Sequence, residues 1–101
     1  MNTFVIYLND GTQHEVTSNE TLEAFTLSVI ADKRVDEVGQ KMWHVFADKL
    51  DDFYDNEAKA LEAYNNLIEH RANVRLYWEV SDSSGATIEE DYIKGQGEYP
   101  D

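Results

Sequence analysis

Cysteine is absent from this chain, which excludes disulfide bridges and thiolate metal ligands alike. Proline occurs once, at Pro100, and the five glycines stand apart at 11, 39, 85, 95 and 97. Neither a proline-rich spacer nor a phosphate-cradling glycine loop can be drawn from them. Bases are scarce: eight Lys and Arg face 21 Asp and Glu, a formal charge of −13 over 101 residues. That balance argues against direct contact with nucleic acid or an anionic membrane, because each carboxylate repels phosphate. No apolar run approaches the length that crosses a bilayer. Phe4 to Leu8 is short and lacks the basic flank of a signal peptide, so a cytoplasmic protein is expected.

What is present suffices for a fold. At 42% hydrophobic and 12% aromatic residues, the chain can bury a core, unlike an acidic disordered tail. Its length suits one domain, expected over residues 1–94, with 95–101 as a flexible carboxy-terminal tail.

Thr3 to Leu8 reads as a strand, then Asn9-Asp10-Gly11 as a loop, then Thr12 to Thr17 as a second strand. A three-residue loop with Gly11 left-handed sets Phe4, Ile6 and Leu8 against Val16, His14 and Thr12, which groups the apolar side chains better than a two-residue turn. Thr17-Ser18-Asn19-Glu20 has the capping-box pattern before a helix carrying Leu22, Phe25, Val29 and Ile30. After a break at Asp32 to Asp36, the spacing of Val38, Met42, Val45, Phe46 and Phe53 predicts a second helix with an inward stripe. Asp55 is expected to cap a third, with Leu61, Tyr64, Leu67 and Ile68 inward and Asn73 as its left-handed stop. Val74, Leu76, Trp78 and Val80 alternate with Arg75, Tyr77 and Glu79 as a half-buried strand, and Ala86 to Ile93 returns after a Ser81–Gly85 turn. Trp43, Phe46 and Trp78 are expected in the core. The predicted class is α+β: a small antiparallel sheet, element order ββαααββ, with the helices packed on one face.

Enzyme signatures are missing. Ser83 and Ser84 sit in a turn rather than a nucleophile elbow. The acidic run from Asp48 to Glu57 does not fit a calcium loop, since counting from Asp51 puts Phe53 third and Asn56 sixth. His44 and Asp48 stand four apart, room for two ligands on one helical face, although a histidine beside a solvated acid is the plainer reading. No catalytic residue, cofactor or metal is expected.

The acids themselves are clustered. On the predicted second helix Asp48, Asp51, Asp52 and Asp55 fall at i, i+3, i+4 and i+7, a column with neighbours on the order of 5–6 Å apart. A second group, Glu79, Asp82, Glu89, Glu90 and Asp91, lies on the carboxy-terminal hairpin with Lys94 as its near base. Tyr77 and Tyr92 stand among these carboxylates, a combination suited to pairing and stacking with arginine. Clustered charge makes a field that a basic partner reads.

In size, acidity, lack of cysteine and rows of carboxylates, the chain resembles the small acidic proteins of phages and mobile elements that imitate DNA. The resemblance implies a non-enzymatic inhibitor of the anti-restriction or anti-CRISPR type, occupying the nucleic-acid-binding site of a basic partner protein. Two other readings stand beside it: an assembly or adaptor protein using an aromatic sheet face, its acidity serving solubility, and a small enzyme or metal-binding domain.

Overall fold

In the computed structural model, which describes residues 1–97, the element order is β1 (Asn2–Leu8), β2 (Gln13–Ser18), α1 (Leu22–Val29), β3 (Val35–Ala47), β4 (Leu50–Tyr54), α2 (Glu57–Ile68), β5 (Val74–Ser81) and β6 (Thr87–Gln96). The class is α+β with an antiparallel six-stranded sheet, ordered β2-β1-β3-β5-β6, and β4 pairs with β3 off that path. The order is therefore ββαββαββ, with two helices where three were expected. Contacts group the chain into two compact units: Met1–Lys41 with Val80–Glu89, and Met42–Glu79 with Glu90 onward.

In the first unit, the β-branched and aromatic run Thr3-Phe4-Val5-Ile6-Tyr7 forms β1. It pairs with β2 in the register that the three-residue loop demands, Phe4 opposite Val16 and Ile6 opposite His14. Gly11 takes φ 90°, and the Asp10 carboxylate accepts from the Thr12 amide and hydroxyl at 2.9 and 2.6 Å. The cap of α1 is Thr21, whose hydroxyl accepts from the Ala24 amide at 3.2 Å, rather than the expected Thr17 to Glu20 box. Ser18 instead accepts from the Glu20 amide in a local turn. Phe25 of α1 stacks on Phe4 at 4.4 Å, and these two with Val38 make the core, flanked by Ile6, Leu22, Val29 and Val35.

The predicted second helix is two strands. β3 runs 13 residues and turns at Asp48-Lys49 into β4, with Ala47 opposite Leu50 and Trp43 opposite Tyr54. Val38, Met42, Val45 and Phe46 match a helical period, but Trp43, Val45 and Ala47 are buried together on one side of a strand. His44 and Phe46 point the other way, so a run apolar on both faces conceals its period of two. Glycine at 39 disfavours a helix interior, and the valines at 35, 38 and 45 favour the extended form.

In the second unit the core is Trp43, Val45, Ala47, Ala60, Tyr64, Val74 and Leu76. Trp78 packs against it, partly buried, as do Leu61, Leu67 and Ile68 of α2. Phe46 is only half-buried and lies on the sheet side away from this core, and Phe53 is exposed; neither belongs to an inward stripe. Asn56, not Asp55, caps α2, accepting from the Lys59 amide at 2.9 Å. Asn73 is not left-handed; Lys49, in the β3–β4 turn, is the described non-glycine residue with positive φ, at 64°. Each unit seats its own helix on its own core: Phe25 of α1 packs with Phe4 and Val38, and Tyr64 of α2 with Trp43, Val45 and Ala47. Gly95 and Gln96, expected in the tail, belong to β6, and Gln96 Nε2 donates to the carbonyls of Ile68 and Arg71. The rest of that tail, residues 98–101, lies outside the described residues.

Close approach explains Gly39. A Cβ there would run into Val80 Cγ1 and sit 2.9 Å from Ile88 Cδ1 and 3.2 Å from the Ser81 carbonyl. Gly39→Ala should therefore cost about 1–3 kcal/mol by overpacking, read as a lower urea midpoint. Leu76→Ala, at a fully buried site, should cost about 2–5 kcal/mol by the same measurement. An unmoved midpoint in either variant would remove that residue from the packing described.

Candidate functional site

Strand alternation gives the sheet of the second unit two unlike sides. Trp43, Val45, Val74, Leu76 and Trp78 turn towards α2, and His44, Phe46, Asp51, Phe53, Arg75, Tyr77 and Glu79 turn away from it. The second side is aromatic and acidic, and its centre is His44.

The register sets His44 directly opposite Phe53 and places Asp51 opposite Phe46, one step along the same face. The imidazole stacks on Phe53 at 4.1 Å with the planes 10° apart, and Tyr77 meets it edge-on at 4.5 Å. Phe46 approaches at 6.4 Å, also edge-on. His44 is only 5% exposed. Its Nε2 faces an Asp51 carboxylate oxygen, and neither ring nitrogen has a hydrogen-bond partner. Burial holds its pKa below the ordinary value, against the pull of Asp51, Glu79 and Asp52. The ring is therefore neutral near pH 7.

Around it, Phe53 is 49% and Tyr92 55% exposed, unusual for large rings on a small sheet. Arg75, Tyr77, Glu90, Asp91 and Tyr92 line an open depression of about 520 Å³. The Arg75 guanidinium stands over the Tyr92 ring, 6.0 Å from its centroid. The Tyr77 hydroxyl is pushed up by burial and then by the charges of Glu79, Asp51 and Glu90, with Arg75 opposing them. Those three carboxylates thus act on one ring.

Of the residues singled out from sequence, Asp51, Glu79, Glu90, Asp91, Tyr77 and Tyr92 come together here. The helical column does not exist. On a strand, adjacent Asp51 and Asp52 point to opposite sides, and Asp52 lies across from Val45. Asp48 sits in the β3–β4 turn, its carbonyl accepting from Arg71 Nη1 at 2.9 Å, so it shares no helical face with His44. Asp55 precedes α2 and pairs with Lys59 at 3.4 Å. Asp82 closes the β5–β6 turn, accepting from Ser84 N at 2.9 Å, Ser84 Oγ at 2.6 Å and Ala86 N at 3.1 Å. Glu89, in the first unit, accepts from the Tyr7 hydroxyl at 2.8 Å. Sequence reasoning missed Phe53 and Arg75 and undervalued His44; alternation with Trp43 and Val45 was the available signal.

Among the described residues, no group of three or more His, Asp or Glu side chains is placed to hold a metal ion, and no helix is long and apolar enough to cross a membrane. No family model, curated protein or solved structure matches this chain.

The histidine gives a pH prediction. Because its folded pKa lies below the ordinary 6.5, the unfolded chain takes up the proton first as pH falls. Stability from this group is complete above about 6.5 and is lost as pH falls through the folded value. His44→Phe should lose less stability than the parent between about pH 7 and 5, measured by urea unfolding. Equal losses would mean that the imidazole keeps its ordinary pKa in the fold.

Proposed function

We propose that this chain is a non-enzymatic binding protein whose aromatic and acidic sheet face occupies a basic site on a partner protein. The observation that carries the reading is the convergence of Asp51, Glu79 and Glu90 on Tyr77, beside the His44–Phe53 stack, with Arg75, Asp91 and Tyr92 lining the depression next to Tyr77. Carboxylates at such a face raise the encounter rate with a cationic surface, and strands hold them in place before binding, which limits the ordering cost.

The basic sites that best suit this face are those that hold nucleic acid. Carboxylates then stand where phosphates stand, and exposed rings offer the flat surfaces that bases otherwise present to the partner. An inhibitor acting by occupancy, of the anti-restriction or anti-CRISPR type, is the specific form proposed. A second reading follows from the exposure of Phe53 and Tyr92: an adaptor that buries this face in an assembly, with charge serving solubility.

The two readings separate by experiment. Affinity capture from a host lysate at low and high salt, followed by competition with the captured protein's nucleic acid, is the test. Occupancy of a basic site predicts release by salt and mutual exclusion with the nucleic acid. Replacing Asp51, Glu79, Glu90 and Asp91 together by their amides should weaken association and flatten its salt dependence while the fold persists. Simultaneous binding of nucleic acid, with affinity indifferent to salt and to those replacements, would overturn the inhibitor reading in favour of the adaptor.

A further inference from the structure

We propose that the face around His44 and Tyr77 selects arginine over lysine on its partner; this rests on the binding reading above and names the side chain recognised. A guanidinium is planar, weakly hydrated and able to stack on a ring while its edge donates to carboxylates, whereas an ammonium is a strongly hydrated point charge. The face offers both halves of that match. Phe53 is half-exposed, and its inner side is backed by the His44 ring at 4.1 Å, so it is a supported platform. Tyr92 is a second exposed ring, and Arg75 already stands over it. That internal contact shows the same pairing in this very depression, with Glu90 and Asp91 on its wall.

His44 adds an independent sign that the acidic side is built for a ligand. It is a polar side chain more than nine-tenths buried, with neither ring nitrogen hydrogen-bonded and Nε2 turned to Asp51. Such a group costs stability when left unsatisfied. Here it keeps the Phe53 platform in place and leaves the charge of Asp51 uncancelled, since the neutral ring brings no cation to it. Asp51, Glu79 and Glu90 act at the Tyr77 ring against Arg75, and their excess of negative charge is open to a cation from outside; the rings beside them favour a flat one.

The test uses two short unstructured peptides of equal length and charge, one carrying arginines and the other lysines, titrated into the full chain. The arginine peptide should bind about twofold to fivefold more tightly, the range expected from exposed ring–cation stacking. Phe53→Leu and Tyr92→Leu should bring the two peptides level while the amide spectrum stays native. As a readout independent of these variants, the Phe53 and Tyr92 ring resonances of the parent should shift with the arginine peptide and less with the lysine one. Equal binding of both peptides, weakened alike by Asp51→Asn and Glu79→Gln, would overturn the arginine preference and leave the acidic-face reading intact. A preference that survives both ring variants, or binding without ring shifts, would also overturn it. Binding indifferent to Asp51→Asn and Glu79→Gln would overturn both.

Discussion

β3 supplies side chains to both cores, and the elements of each unit are arranged around that strand. Its 13 residues give Val38 to one core and Trp43, Val45 and Ala47 to the other. At Gly39 the approach of Val80 and Ile88 is closer than any side chain permits, so the strand carries glycine at its tightest point. Beyond that point the alternation delivers His44 and Phe46 to the side that α2 does not cover. The exposed site is thus a consequence of the same period of two that fills the core. A residue inserted into β3 ahead of Trp43 would exchange the two sets and turn His44 towards α2 in place of Trp43 and Val45.

Much of the fold could be read from the sequence where one period was unopposed. β5 alternates cleanly, α2 repeats Leu61, Tyr64 and Leu67, and the grouping of Phe4, Ile6 and Val16 selects the three-residue loop and with it the register of the first hairpin. The middle of the chain defeats this reasoning because Met42 to Ala47 is apolar in nearly every position. Six such residues satisfy i, i+3, i+4 and alternation equally well, and only burial tells them apart. The error carried directly into the site. Asp48, Asp51, Asp52 and Asp55 form a column only on a helix; extended, they scatter to a turn, two sides of β4 and the approach to α2.

The acids also divide by task, which composition alone hides. Asp10, Asp32 and Asp82 each accept from the amide two residues on, at 2.9, 3.0 and 2.9 Å, and so repeat one turn device three times. Hydrogen bonds from Thr12, Arg34 and Ser84 side chains are the first cause that lowers each of their pKa values. Their stabilising effect is present above the ordinary carboxylate value of 3.8 and fades as pH falls through the lowered ones. Glu89 is engaged by Tyr7, and Asp55 by Lys59. These carboxylates belong to the architecture. The charges that act together on the Tyr77 ring, from Asp51, Glu79 and Glu90, are a smaller set than the count of 21 suggests.

That division bears on why a neutral histidine lies in an acidic surface. A protonated His44 would be the nearest counter-ion for Asp51, and burial between Phe53 and Tyr77 is what prevents it. The hydrophobic stack therefore sets the electrostatics of the face: by keeping the proton away, it keeps the carboxylate charge available. If an external cation binds these carboxylates, it and the His44 proton compete for one field, so each weakens the other by linkage. Protonation of the imidazole should then loosen a basic partner. A face of aspartates and glutamates alone lacks that sensitivity. Packing of one uncharged ring against two aromatic neighbours would thus decide over what pH range this acidic surface can act as one.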